Sequence, residues 1–154
     1  MTTVERTGAA VGVRKARPDE VRAVGASLAA AFFDDPVIGW AWPVRERRAM
    51  ILADFFELMA AGSLEYGEAY TVDGCAGAAL WVPPEGPESS EEEETAFFGA
   101  VEGVTHECFP AVRTLFEVLD ARHPREPHYY LPIVGTRPEL QGQGVGAALL
   151  APAL

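Results

Sequence analysis

This sequence predicts a mixed α/β domain built around one sheet, and three observations carry the prediction. Apolar residues recur at helical spacing in two early stretches, 18–33 and 43–62. The pair Asp73-Gly74 separates two strand-like runs. A further strand-like run, 128–134, passes through a glycine-rich turn directly into an apolar segment. At 154 residues the chain suits one domain. Its hydrophobic content of 49% excludes disorder as the state of the whole chain.

Residues 1–10 read as a flexible tail, small and polar with no period. Val11 to Arg17 alternates weakly and reads as a first strand near a sheet edge. Pro18, Asp19 and Glu20 suit the first turn of a helix, where proline is tolerated and the dipole favours carboxylates. Val21, Val24, Leu28 and Phe32 then mark one face of that helix, and Asp34-Asp35-Pro36 stops it. After a connector bearing Trp40 and Trp42, a second helix begins near Pro43, with adjacent apolar rows Ile51-Phe55-Leu58 and Leu52-Phe56-Met59.

Residues 64–72 and 75–82 form the predicted hairpin around Asp73-Gly74, and the second strand is apolar enough for a central position. Ser89-Ser90 followed by Glu91 to Glu94 is a capped helix start. That helix runs to about Cys108, Pro110 interrupts it, and another covers Val112 to about Arg122. A proline-containing linker, 123–127, leads to the strand 128–134.

The formal charge of −11 is segregated. Residues 1–48 carry eight basic and six acidic groups, residues 49–110 carry thirteen acids and no Lys or Arg, and residues 111–154 carry four of each. So acidic a chain argues against nucleic-acid binding and against docking on anionic membrane. No apolar run approaches a membrane span, and residues 1–13 lack a signal-peptide pattern, which predicts a cytoplasmic protein. Cys75 and Cys108 have no metal-ligand spacing and read as core thiols, and no metal site is expected.

The stretch from Gly135 to Leu150 carries the chemistry. Glycines at 142, 144 and 146 leave no side chains in a ligand's path, and successive N–H groups there join the free N–H groups of the following helix. Such a turn is an anion cradle made of main chain. A Walker loop is excluded, because the only lysine is Lys15. The dinucleotide fingerprint matches in letters, Gly142-x-Gly144-x-x-Ala147, but lacks the strand and acid that should follow. The remaining signature is Gln-x-x-Gly-x-Gly, met by Gln141, Gly144 and Gly146 after a strand.

That segment resembles the coenzyme A loop of the GCN5-related N-acetyltransferase (GNAT) superfamily, and residues 126–150 resemble its puromycin-type, small-molecule branch. The resemblance implies a GNAT-like acyl-CoA N-acyltransferase fold and acetyl-CoA as cosubstrate. Residues 128–154 would be the acetyl-CoA-binding strand, loop and helix. Main chain at Val134, Gly135 and Thr136 would pair with the pantetheine arm. The N–H groups of Gln141, Gly142, Gln143, Gly144, Val145, Gly146 and Ala147 would hold the pyrophosphate. Gln143 stands where many relatives have a cation, leaving Arg137 the nearest one.

The implied reaction is direct attack of a small primary amine on the acetyl thioester, which needs a base and an acid. A carboxylate base of one branch falls at Tyr130 here, so His128, two residues earlier on the same strand face, is the candidate base. A solvent-exposed cap of the strand start is the competing reading of His128, and Tyr130 reads as wall more than proton carrier. The family continues past this helix with further strands, one bearing the thiolate-protonating tyrosine. The chain is therefore expected to be a truncated acetyltransferase whose C-terminal strands are missing.

A non-catalytic acyl-CoA-binding or regulatory module, an inactive truncated enzyme, and a structural domain with plain turn glycines are the alternatives. A homodimer is compatible with all of these. The acid block reads either as a field steering a cationic amine or as solvated helix surface. Trp40, Trp42, Phe55 and Phe56 read either as an acceptor pocket or as core.

Overall fold

The computed structural model describes residues 11–84 and 89–154, so the reading of residues 1–10 as a tail lies outside the described residues. Ten regular elements follow in order: β1 (Val13–Lys15), α1 (Val21–Phe32), α2 (Pro36–Ala41), α3 (Arg45–Glu65), β2 (Ala69–Val72), β3 (Gly77–Val82), α4 (Glu91–Thr105), α5 (Phe109–Ala121), β4 (Tyr130–Thr136) and α6 (Val145–Leu150). The strands form one sheet in the order β1-β2-β3-β4, and every neighbouring pair is antiparallel.

Local chemistry sets most of the boundaries. Pro18 to Glu20 forms a 3-10 turn that runs into α1. The predicted tryptophan connector is instead the short helix α2, because Asp35 caps it by accepting from the N–H groups of Val37 (2.9 Å) and Ile38 (3.2 Å), with Pro36 in the first turn. The helix α3 runs through Glu65, so the first hairpin strand shrinks to Ala69–Val72. The hairpin itself turns over Asp73–Cys75 rather than two residues, with Gly74 at φ 71° and Cys75 at φ 52°. Ser90 and Glu93 form the reciprocal capping box of α4. Pro110 sits in the first turn of α5 and starts that helix, where its missing N–H costs nothing.

Two apolar layers sandwich the sheet. On one face α1, α3, α4 and α5 pack a core containing Val24, Leu28, Trp42, Leu52, Phe55, Phe56, Val101 and Val112. On the other, Val145 and Leu149 of α6 meet Val72, Ala79 and Trp81. All but the last residue of β3 are buried, as a strand covered on both faces requires. Helix α1 approaches α3 very closely: a Cβ at Gly25 would lie 2.7 Å from the backbone nitrogen of Glu57. It approaches β4 as closely, since a Cβ at Gly135 would lie 3.0 Å from Ala31. Both thiols are raised by burial, Cys75 and Cys108 alike, so neither is poised as a nucleophile.

The buried Glu20 carboxylate ties β1 to the start of α1. It accepts two bonds from the Arg14 guanidinium (2.5 and 2.8 Å) and one from the N–H of Arg17 (2.9 Å). The Arg14 bond, then that of Arg17, holds Glu20 down at about 2. A carboxylate depressed in the folded state stabilises above its unfolded value, and that contribution is lost as pH falls through the folded one. Chemical denaturation is therefore expected to show stability declining between about pH 4.5 and pH 2. Glu20→Gln should be less stable than the parent at pH 7 and should lose less across that window. Parallel curves for the two proteins would remove Glu20 as a source of acid sensitivity.

Candidate functional site

β4 borders β3 on one side, and among the described residues no strand lies on its other side. The phase of its ladder decides which groups are free. The N–H of Arg137 donates to the carbonyl of Ala76 at 2.9 Å. In an antiparallel pair the bonding positions alternate, and Gly77 stands opposite Thr136, Ala78 opposite Gly135, Ala79 opposite Val134. Gly135 and Ile133 therefore spend their polar groups on β3, while those of Val134 and Thr136 point to the open edge. Pro132 also takes an outward position, where its missing N–H breaks no ladder bond. Gly135 is thus not available to a ligand's arm, against the expectation; its glycine is needed for the approach of α1.

At Leu80 to Val82 the register slips, so that Tyr130 faces Val82. The slip is a β-bulge on β4 around Leu131 and Pro132. It lets Leu131 and Val134 both pack on the α6 side, while Ile133 packs on the α1 side.

At the far end of β4 the chain turns over Pro138–Leu140 into the glycine loop. Gly142 and Gly144 adopt φ values of 77° and 86°, the left-handed region that glycine occupies freely. Among the described residues nothing lies within 4 Å of where a Cβ would stand at Gly142, Gly144 or Gly146. Among the described residues the N–H groups from Gly142 to Ala147 have no hydrogen-bond acceptor, and the helical pattern resumes with Ala148 N–H to Gly144 C=O at 3.1 Å. Gln141 is the exception within the expected row. Its N–H closes the turn onto Pro138 C=O (3.3 Å), and its side-chain amide donates to Thr136 C=O (3.1 Å). It braces the loop against the open edge. Gln143 folds back toward Glu139 C=O (3.4 Å).

Arg137, at the start of the turn into the loop, is tethered. Its Nε donates to Ser27 Oγ at 2.7 Å, and Ser27 Oγ in turn donates to Cys75 C=O at 2.5 Å. Ser27 is fully buried on α1. The contact joins α1, the β2–β3 turn and the end of β4 at one point.

The other end of β4 holds an aromatic and imidazole cluster. His128 Nδ1 lies 2.5 Å from Glu126 C=O, and because a carbonyl only accepts, Nδ1 carries the proton. Nε2 has almost no exposed surface and, among the described residues, no hydrogen-bond partner. His123 stands with its ring centroid 4.7 Å from that of His128 and 4.4 Å from that of Tyr130, edge-on to the latter at 88°. Tyr130 is half-buried, its ring held as a wall. His128 is half-buried too. By strand rise the two ends of β4 are roughly 20 Å apart. Of the aromatic residues that read either as an acceptor pocket or as core, Trp42, Phe55 and Phe56 are core, while Trp40, exposed at 56%, lines a surface pocket with Pro43, Arg47 and Cys108. Sequence reasoning missed Ser27 and His123, because neither belongs to a periodic pattern or a motif.

No family model matches the chain. A solved structure described as histone acetyltransferase HPA2 and related acetyltransferase, from Corynebacterium glutamicum, superimposes with a TM-score of 0.65 at 22% identity, covering 94% of this chain and 70% of that one. The chain accordingly shares the mixed α/β fold of that acetyltransferase.

Proposed function

We propose that this protein is an acetyl-CoA-dependent N-acetyltransferase that acetylates a primary amine of a small molecule. The observation that carries the reading is a pair of outward-facing main-chain surfaces at the end of β4. One is its open edge, at Val134 and at the N–H of Thr136, whose carbonyl is taken by the Gln141 side chain; the other, past the turn Pro138–Leu140, is the row of N–H groups from Gly142 to Ala147, which have no acceptor among the described residues. The edge suits an amide-bearing arm, which binds by strand addition. The N–H groups suit a pyrophosphate, and bare glycines at 142, 144 and 146 let it approach. The likeness of fold to an acetyltransferase supports the same reading.

When bound, acetyl-CoA supplies the acyl group already activated as a thioester. The residues of this chain do the rest. Val134 and Thr136 would hold the arm, so that its thiol end runs along β4 toward Tyr130. His128 Nε2 would take the proton from the attacking ammonium, and its tautomer is fixed for that task by the Glu126 carbonyl. Tyr130 would wall the acceptor side. Helix α4, with five acids and no Lys or Arg, lies on the face of the sheet away from α6. An anionic cofactor would thus avoid it while its field draws in a cationic amine.

Titration calorimetry of the full chain with acetyl-CoA, followed by a thiol-release assay over a panel of primary amines, tests the proposal. Binding with turnover of at least one amine is expected. Binding without turnover on any amine would leave a non-catalytic acyl-CoA module. Absence of binding at millimolar cofactor would leave a structural domain with turn glycines.

A further inference from the structure

We propose that Ser27 is a positioning residue for the row of N–H groups from Gly142 to Ala147, acting through Arg137. Its consequence for acetyl-CoA rests on the acetyltransferase reading; its effect on the shape of the row does not.

The row is reached from β4 through the short turn Pro138–Leu140, so the direction in which that turn leaves the sheet sets where the row lies. Arg137 is the last residue before the turn, and it is held at three atoms. Its N–H donates to Ala76 C=O (2.9 Å), its C=O accepts from the N–H of Leu140 (2.9 Å), and its Nε donates to Ser27 Oγ (2.7 Å). The first two bonds are main chain, supplied by strand register and turn whatever side chain stands at 137. The third ties the turn to α1, and it alone depends on the side chains.

Ser27 is placed to accept that bond. Its side chain is fully buried, and its own proton goes to Cys75 C=O at 2.5 Å. A hydroxyl has one proton, so what it offers Arg137 is a lone pair. Backbone fixes where that oxygen stands. Helix α1 is seated by two close approaches, Gly25 against Glu57 and Gly135 against Ala31 and Phe32, and a side chain at either glycine would push it away. Gly135 and Arg137 lie two apart on one strand, so both face α1.

The tether and the charge of Arg137 are separable. Among the described residues its guanidinium makes no ion pair, so a hydroxyl and not a carboxylate sets its direction. In glutamine the amide nitrogen stands as many bonds from Cα as Nε does in arginine. Arg137→Gln can therefore keep the donor without the charge, and Arg137→Met has the same reach with neither.

Titration calorimetry of acetyl-CoA onto the full-length parent and its variants tests the tether. Ser27→Ala and Arg137→Met should each weaken binding by about tenfold, as follows when a released turn presents the row about one-tenth of the time. In turnover the loss should fall on KM for acetyl-CoA and not on kcat. Arg137→Gln should stay close to the parent. Combining Ser27→Ala with Arg137→Met should be no worse than either alone, because both break one contact. Circular dichroism checks each fold, and the pair at half-buried Arg137 decides the matter if Ser27→Ala does not fold. Equal losses in Arg137→Gln and Arg137→Met, or unchanged affinity in Arg137→Met, overturn the tether.

Amide spectra of the isotope-labelled, cofactor-free chain keep the two readings apart. The signals of Gly142, Gly144 and Gly146 should shift or broaden in Arg137→Met and hold their places in Arg137→Gln. That pattern in a chain that binds no acetyl-CoA would overturn the function and leave the tether standing. Acetyl transfer in a chain whose Gln and Met variants lose affinity alike would do the reverse.

Discussion

His128→Gln is expected to lower kcat for acetyl transfer by roughly 10²- to 10⁴-fold, the contribution of a positioned general base, while acetyl-CoA affinity stays close to that of the parent. The split follows from geometry. His128 lies at the Tyr130 end of β4, and the unpaired N–H groups from Gly142 to Ala147 lie beyond the other end. Glutamine can still offer an N–H to Glu126 C=O, so the start of β4 keeps its contact. What it lacks is a second nitrogen with a lone pair to receive a proton. Steady-state thiol release gives kcat and calorimetry gives the cofactor affinity. Added imidazole should restore part of the lost rate, which a merely structural defect would not allow. A kcat close to the parent's would remove His128 from the base role.

The parts of the site that were legible in the sequence are those whose physics is local. Gly142 and Gly144 can take left-handed backbone at no steric cost, and the loop uses it at both. Ser90 and Glu93 sit three residues apart and cap α4 as that spacing requires. The parts that were not legible depend on register or on distant chain. Whether Gly135 or Val134 faces the open edge is decided by the pairing of β4 with β3, which no periodicity within β4 reveals. Its partner bond, from Arg137 to Ala76, crosses sixty-one positions of sequence. Ser27 meets Arg137 only because Gly135 lets α1 settle on the sheet. His123 meets His128 across the linker between α5 and β4, a contact that no periodicity announces. Trp42 was ambiguous between pocket and core, and became core once Asp35 capped a helix in front of it.

Gly144→Glu is expected to weaken acetyl-CoA binding by roughly 100-fold, the order of losing one or two charge-assisted hydrogen bonds. Gly144 is the N-cap of α6 with φ 86°, so any side chain there carries a conformational cost of about 1–2 kcal/mol. Space is not the obstacle, since among the described residues nothing lies within 4 Å of the Cβ position. The carboxylate acts in two further ways. It repels the pyrophosphate, and it can itself accept from the N–H groups meant for that ligand. A negative group at a helix start is locally favourable, so Glu at 144 should unfold no more easily than Ala at 144. That comparison separates the causes. Gly144→Ala carries the φ strain without the charge, and only the Glu variant should show the large loss of acetyl-CoA affinity by calorimetry. Equal losses in the two variants would reduce the effect to backbone strain. Unchanged affinity in Gly144→Glu would sink the cradle, because a carboxylate placed among those N–H groups cannot coexist there with a bound phosphate at no cost.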